Sequence, residues 1–262
     1  MSTVHIEPPF GRLITAMITP FKKDGEIDWG GVEKLAQHLA DTGHDAITVN
    51  GTTGEAPTTK SSEKLEIIRM VKKVVGDRVK VLTGAGDNET SYTVEQAKRS
   101  AEAGVDGLLI VTPYYNKPPQ AGIEAHFRTV AAATDLPIVM YDIPGRTGVE
   151  IEQDTICRLA EVKNIVALKD AKGNPASTSW VIKRTGLPVY SGDDIRNLRI
   201  GSIDKWQTCM SSWQSHKLHR GLGHDCTLST ECSGEYRQKL LMNFECTTRV
   251  SCKPCIEHLF EF

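Results

Sequence analysis

The stretch Ile165-Val166-Ala167-Leu168-Lys169-Asp170-Ala171 has the small and aliphatic composition of a buried parallel strand, with a lysine inside it. Side chains alternate between the two faces of a strand, so Lys169 shares one face with two alanines and Leu168 lies on the other. Burial disfavours the ammonium form, and a neutral amine with open space above it is what Schiff-base chemistry on a carbonyl substrate requires. A lysine whose head reaches solvent at the strand end is the structural alternative.

The sequence around this strand repeats one unit from Gly11 to about Gly192: a short apolar run, a loop rich in Gly, Thr or Pro, and an amphipathic helical pattern. Strands alternating with helices predict a parallel sheet covered by helices. Their number and spacing favour a (β/α)₈ TIM barrel, with a doubly wound sheet as the alternative. The predicted strands are Leu13–Pro20, Ala46–Asn50, Lys80–Gly84, Gly107–Thr112, Pro137–Ile143, Ile165–Ala171 and Leu187–Ser191, and the predicted helices are Trp29–Thr42, Ser61–Val75, Ser91–Ala103, Gly122–Thr134, Gln153–Ala160 and Ala176–Arg184.

Composition excludes several classes of function. The chain has 262 residues and a formal net charge of −2, with acidic and basic residues interspersed. This pattern predicts no nucleic-acid partner and no anionic membrane surface as a partner. No apolar run approaches the ~20 residues that span a bilayer. The first residues lack the pattern of a signal peptide, so a cytoplasmic protein is expected.

In a barrel of this type the chemistry lies at the C-terminal rim, where the strands end. The strand ends supply hydroxyls, phenols, one arginine and one lysine, but no histidine and no metal-ligand spacing, which disfavours a metal-dependent aldolase. Phosphate-binding patterns are also absent, so no metal and no cofactor are predicted. The relevant segments are Gly51–Glu55, Thr112–Pro118, Tyr141–Gly148, Leu168–Asp170 and Ser191–Asp194.

Individual rim residues have both a functional and a structural interpretation. The turn from Gly51 to Gly54 offers two hydroxyls and accessible backbone N–H groups that could hold a carboxylate, although such segments are usually plain turns. Tyr141 is placed on the inner face of its strand, where it is either a buried core residue or a proton relay. Arg146 is suited to bidentate binding of a carboxylate, unless it is merely solvated.

Taken together, these segments resemble the dihydrodipicolinate synthases, which belong to the pyruvate-dependent class I aldolase family that also contains N-acetylneuraminate lyase. The resemblance runs from about Phe10 to Asp194. Its most specific pieces are the four segments Gly51–Glu55, Thr112–Pro118, Tyr141–Gly148 and Leu168–Lys169. The Pro-Gly-Arg-Thr-Gly and Tyr-Tyr-Asn-Lys-Pro sequences point to the synthase branch rather than to the sialic-acid lyases.

The resemblance implies a set of catalytic residues. Lys169 would form a Schiff base with pyruvate, and Tyr141 would relay protons. Thr53 would link Tyr141 to Tyr115, which in this family reaches into the active site of the neighbouring subunit. The family is usually a homotetramer in lysine and diaminopimelate biosynthesis.

The resemblance also implies substrate-binding residues. Thr52 and Thr53 would hold the carboxylate of pyruvate, and Arg146 the carboxylate of aspartate semialdehyde; Gly192, after the seventh strand, belongs to the same set. Asp142, where many relatives have asparagine, faces away from Lys169 in the predicted register and is expected to matter less.

The last part of the chain departs from this pattern, so we divide the sequence into a barrel portion, 1–194, and an atypical Cys-rich tail, 195–262. The tail contains no alanine and one valine, and neither an eighth strand followed by a helix nor the family's C-terminal helices can be recognised in it. The last strand and these helices are therefore predicted to be missing or altered. A shifted reading frame, a divergent tail and a zinc site around Cys252 and Cys255 are the three interpretations.

The predicted function is condensation of pyruvate with L-aspartate 4-semialdehyde through a lysine Schiff base. Two alternatives remain open from the sequence. One is a sister aldolase that uses another aldehyde. The other is a catalytically dead remnant whose barrel does not close, because an open sheet edge exposes unpaired backbone groups.

Overall fold

The computed structural model describes residues 8–193 and 209–212, in which eight parallel strands close into a barrel in chain order. The (β/α)₈ barrel predicted from the sequence is confirmed, and the doubly wound sheet is excluded because its sheet would have two open edges. The strands are β1 (Leu13–Ala16), β2 (Ala46–Val49), β3 (Lys80–Gly84), β4 (Gly107–Val111), β5 (Ile138–Asp142), β6 (Ile165–Asp170), β7 (Val189–Ser191) and β8 (Cys209–Ser212).

Helices connect the strands and cover the outside of the barrel. Two of them begin at side-chain caps: Asp28 accepts a hydrogen bond from the Gly31 N–H, and Asn174 accepts one from the Ser177 N–H, each cap being worth about 1 kcal/mol. No helix in the described ranges is both long and apolar enough to cross a bilayer. The helices are α1 (Trp29–Asp41), α2 (Ser61–Val75), α3 (Thr90–Glu102), α4 (Gln120–Ala132), α5 (Pro144–Thr147), α6 (Gln153–Leu159) and α7 (Pro175–Thr185).

The strands separate two apolar cores. Side chains that alternate outward, such as Met140 and Leu168, pack against the helices, whereas Val139 and Ala167 fill the barrel interior. The alternation follows from the two-residue period of a strand.

The N-terminal end of the barrel is closed by Phe10. Its ring lies so close to Gly107 that a Cβ there would be 2.4 Å from Phe10 Cζ. The Tyr190 hydroxyl accepts from the Phe10 N–H at 3.1 Å and donates to the Gly11 carbonyl at 3.2 Å. Among the described residues this end is filled, which leaves the opposite, C-terminal rim for a substrate.

The eighth strand is described in the structure, which decides between the missing and the altered last strand of the sequence prediction. Its backbone pairs with β1 from Leu13 opposite Cys209 to Ala16 opposite Ser212, and with β7 at Ser191 opposite Cys209. The last strand is therefore present, in an altered form: Cys-Met-Ser-Ser lacks the aliphatic run by which a buried strand is recognised. The C-terminal helices and the zinc candidates Cys252 and Cys255 lie outside the described residues.

Candidate active site

A cavity of about 260 Å³ opens at the C-terminal rim of the barrel. It lies where the chemistry of this fold is found, because the loops after the strands converge there. Residues from the ends of β2, β3, β4 and β5 and from the adjoining helices line it: Asn50, Gly51, Thr52, Ala56, Pro57, Lys64, Gly84, Ala85, Gly86, Asp87, Tyr92, Gln96, Leu109, Val111, Tyr114, Tyr141, Ile143, Arg146 and Thr147.

Tyr141 lines this cavity, and the buried Lys169 lies beside Tyr141, outside the lining. They lie opposite each other on the neighbouring strands β6 and β5. Each side chain is 6% exposed, and the Lys169 Nζ lies 4.2 Å from the centre of the Tyr141 ring. The two residues that the sequence placed on one inner face are therefore adjacent, with the amine next to the phenol.

Gly192 leaves the space that the Lys169 side chain occupies. A Cβ at position 192 would lie 3.0 Å from Lys169 Cε and 3.1 Å from Ala171 Cβ. A larger residue would therefore push the lysine stem out of its present position. This places Gly192 beside the candidate nucleophile.

The Tyr141 phenol has a pKa raised above its usual value because the ring is buried. A side-chain hydrogen bond from Thr52 and the positive charge of Arg146 oppose this shift. The phenol is thus protonated at neutral pH and has a hydroxyl neighbour that opens onto the cavity, an arrangement suited to passing protons.

The side chain that acts on Tyr141 in the described structure is that of Thr52, next to the predicted Thr53. The contact with Tyr141 is predicted for Thr53, whereas the threonine whose side chain lowers the pKa of Tyr141 is Thr52; the link through Thr53 stays a prediction. Thr53, half-buried in the turn after β2, is not among the residues that line the cavity. Two adjacent threonines in a turn cannot be distinguished from sequence, because the backbone of the turn decides which one faces inward.

Arg146 lies in α5, the single helical turn after β5, at the exposed side of the cavity. The turn is closed by hydrogen bonds from the Arg146 N–H to the Ile143 carbonyl and from the Gly148 N–H to the Pro144 carbonyl, both 2.9 Å. A guanidinium at this position can bind the carboxylate of a molecule held in the cavity.

Tyr115 is not brought into the cavity of its own chain. Its side chain is 87% exposed, and its backbone has a φ of 71°, in the left-handed region. The neighbouring Tyr114 points the other way and lines the cavity. The role expected for Tyr115 therefore depends on a second subunit.

Two charged residues of the cavity were not singled out from the sequence: Asp87, in the segment after β3, and Lys64, in α2. The Tyr114 hydroxyl donates to Asp87 Oδ2 at 3.1 Å, and burial followed by the Asp87 charge raises the pKa of Tyr114. Burial lowers the pKa of the Lys64 ammonium, which also lines the cavity. The signal was available: Ala85-Gly86-Asp87 follows a strand as the other rim segments do.

In the described part of the chain, no group of three or more His, Cys, Asp or Glu side chains is arranged to hold a metal ion.

Comparison with known proteins places the chain in a family. The model of the dihydrodipicolinate synthetase family matches residues 9–203. The 4-hydroxy-tetrahydrodipicolinate synthase of Acidothermus cellulolyticus is 54% identical over 202 residues, which cover 77% of this chain and 66% of that protein. A second such enzyme from Streptomyces coelicolor is 53% identical over 197 residues, covering 75% of this chain and 66% of the relative. The matched part thus spans just under two thirds of the length of these relatives.

Solved structures agree with this assignment. A dihydrodipicolinate synthase from Cyanidioschyzon merolae, determined with lysine bound, superposes with a TM-score of 0.76 at 47% identity, covering 78% of this chain and 70% of that one. The enzyme DapA-2 from Bacillus anthracis gives a TM-score of 0.75 at 43% identity, with the same coverage of both chains. The chain belongs to the dihydrodipicolinate synthetase family.

Proposed function

We propose that this protein is a 4-hydroxy-tetrahydrodipicolinate synthase, a Schiff-base lyase that condenses pyruvate with L-aspartate 4-semialdehyde. The observation that carries the proposal is the buried Lys169 amine beside the Tyr141 phenol, at a rim cavity that Arg146 borders. The names of the relatives support the choice of substrates.

The Lys169 amine is the nucleophile in this scheme. In its neutral form it adds to the ketone carbon of pyruvate, and loss of water gives an iminium that acts as an electron sink. Loss of a proton from the methyl group then gives an enamine. The enamine carbon forms a bond to the aldehyde carbon, and the amine of the second substrate attacks the iminium carbon, so that the ring closes and Lys169 leaves.

Tyr141 and Thr52 serve the proton transfers of this sequence. The Tyr141 ring lies next to the Lys169 amine, and both Tyr141 and Thr52, whose side chain lowers the Tyr141 pKa, line the cavity. The phenol can therefore give a proton to the departing water and accept one from a later intermediate at the same place. The relay role predicted for Thr53 passes to Thr52 in this proposal, while Thr53 keeps its predicted role as a donor to the pyruvate carboxylate, together with Thr52.

Arg146 provides the selectivity for the second substrate. Its guanidinium binds the carboxylate that distinguishes aspartate semialdehyde from simpler aldehydes, and charge-assisted hydrogen bonds of this kind are the strong ones. Gly192 keeps the Lys169 side chain in reach of pyruvate.

The proposal includes a homotetramer. The exposed Tyr115 ring and the hydrogen bond from the Tyr115 N–H to the Thr147 carbonyl, 3.3 Å, fit a side chain presented to another subunit. One solved relative is described as the first monomeric variant of a dihydrodipicolinate synthase, which singles it out among its relatives. Action in the cytoplasm in lysine and diaminopimelate biosynthesis, and the division into a barrel portion at 1–194 and a tail at 195–262, remain predictions.

The test compares two aldehydes. The purified chain is assayed with pyruvate and either L-aspartate 4-semialdehyde or 3-aminopropanal, which has the aldehyde and amine but lacks the carboxylate. Rapid condensation with the first and at least about tenfold slower condensation with the second is expected, since a charged hydrogen bond is worth about 1.5–3 kcal/mol. Equal rates would favour a sister aldolase, and no condensation by folded protein would favour the catalytically dead remnant.

A further inference from the structure

A buried ion pair lies directly behind the Tyr141–Lys169 pair. Strand alternation places the next residues, Asp142 and Asp170, opposite each other on the outer side of β5 and β6. Both carboxyls are buried, Asp142 completely. The Lys172 Nζ lies 3.1 Å from Asp142 Oδ2, and the Lys172 side chain is 5% exposed.

This pair holds the far end of the loop that carries Arg146. Asp142 Oδ2 accepts a hydrogen bond from the Ile151 N–H at 3.2 Å, and Lys172 Nζ donates one to the Ile151 carbonyl at 3.0 Å. Both backbone groups of one buried residue are thus bound by the two charges. Because Asp142 also begins the loop, the chain returns at Ile151, nine positions later, to the residue where the loop started.

Arg146 depends on this closure for its position. Its side chain is exposed and lies halfway along the loop, so the backbone on either side has to fix where the guanidinium points. Inside the loop, the Thr147 hydroxyl donates to the carbonyls of Ile143 at 3.0 Å and Val149 at 2.7 Å. These bonds make α5 a rigid unit, which the Tyr115 N–H attaches to the loop after β4; around Ile151 the buried pair acts together with Gln120, which binds the backbone on either side.

The other side of the pair is anchored to β6 and α7. Asp170 accepts from the Lys172 N–H at 2.8 Å and from the Thr178 hydroxyl. These bonds fix the backbone of Lys172, which carries the positive charge of the pair, to Asp170. Asp170 directly follows Lys169 in β6. The loop of Arg146 and the strand of the nucleophile are joined through two buried charges.

We propose that Asp142 and Lys172 are positioning residues, which hold the Arg146 loop against the barrel so that the guanidinium meets the carboxylate of the second substrate. This inference rests on the proposed function. It reverses the expectation that Asp142 matters less because it faces away from Lys169: it does face away, and its effect is exerted through the loop. Neither residue contacts the cavity in the described structure.

Two neutral double variants separate the loop attachment from the charge. Asp142→Asn with Lys172→Gln keeps an acceptor for the Ile151 N–H and a donor for its carbonyl. Asp142→Asn with Lys172→Met keeps the first bond and removes the second. Both avoid leaving an unpaired charge from this pair buried, which would itself unfold the protein.

The expected result is a selective change in KM. The Gln double variant should keep the KM for aspartate semialdehyde within about threefold of the native protein, whereas the Met double variant should raise it about tenfold, since small displacements of a positioning group have effects of this size. The KM for pyruvate should stay unchanged in both. Lys72→Met is the matched control, because it breaks a 2.9 Å ion pair with Asp106 at the opposite end of the barrel.

Several outcomes would overturn the proposal: equal KM values for aspartate semialdehyde in the two double variants, a parallel rise in both substrates' KM, or the same rise in Lys72→Met. If the Met variant does not fold, the Gln variant decides, and a tenfold rise there would show that charge rather than attachment is what matters. Absence of turnover by the native protein would instead refute the proposed function.

Discussion

The two sides of the barrel differ in how completely they are built. β5 and β6 are paired at five positions, from Ile138 opposite Ile165 to Asp142 opposite Asp170. In the described residues β7 and β8 are paired at one position, Ser191 opposite Cys209. The proposed nucleophile and its proton relay stand on the first side. The chemistry of this chain therefore depends on the extensively paired side, whereas closure through β8 rests on four positions with β1 and on one with β7 among the described residues.

Breaking each side with proline should give the largest and most unequal effects. Val139→Pro removes a ladder hydrogen bond in the middle of the buried strand β5, where proline is not tolerated, and should prevent folding. Met210→Pro disturbs a strand that pairs with β1 at four positions but with β7 at one, and should lower the Tm by a smaller amount. Thermal unfolding followed by circular dichroism measures both. Equal losses would show that the closure stabilises the barrel as much as β5 does.

Removing the proton relay should have the next largest effect, on kcat. Tyr141→Phe keeps the buried ring but removes the hydroxyl, and should lower kcat by about 10²–10⁴-fold, as expected for loss of a general acid–base group. Thr52→Val should lower kcat more than Thr53→Val, since Thr52 is the hydrogen-bonding partner of Tyr141. Steady-state kinetics decide between them. A larger loss in Thr53→Val would restore the original assignment.

A buried histidine in α4, the helix that leads into β5, predicts that the stability of the protein depends on pH. His126, in α4, is 3% exposed, and burial lowers its pKa from 6.5 to about 4 although Asp87 opposes the shift. The unfolded chain takes up the proton first, so the free energy of unfolding should fall between pH 6.5 and 4, by about 3 kcal/mol in total.

The control for this effect is His126→Gln, which should lose that part of the pH dependence. The comparison between variants is needed because burial raises the pKa of Asp142 to about 6. That shift acts in the opposite direction, since it stabilises the folded chain as the pH falls. The free energy of unfolding is measured with urea at each pH for the native protein and for His126→Gln. The same pH dependence in both would contradict the assignment to His126.

The smallest effect concerns the second substrate alone. Arg146→Ala should raise the KM for aspartate semialdehyde about 10–100-fold through loss of a charged hydrogen bond, without changing the KM for pyruvate. Initial-rate measurements with each substrate varied in turn give both values. A change confined to pyruvate would place Arg146 at the other carboxylate.

Strongly patterned parts of this chain could be predicted from sequence. The seven strands from β1 to β7 were found within a few residues because aliphatic runs and turn residues mark them, and Lys169 and Tyr141 were placed on one inner face by the two-residue period of a strand. β8 was missed because Cys-Met-Ser-Ser carries no such pattern.

Contacts that depend on tertiary geometry could not be predicted. The choice between Thr52 and Thr53 depends on the path of a turn, and the bond between Asp142 and Lys172 joins charged residues 30 positions apart, each of which looks like a surface residue in sequence. Burial gave these charges their importance, and burial of an isolated charge has no signature in a single sequence.

The measurement that tests the central claim most directly is trapping of the Schiff base. The purified chain is incubated with pyruvate and borohydride, its mass is determined, and the modified peptide is mapped. We expect one reduced pyruvyl group per chain, on Lys169, with Lys172 three positions away unmodified. Folded, soluble protein that gains no adduct, or gains it equally on other lysines, would contradict the assignment of Lys169 as the nucleophile.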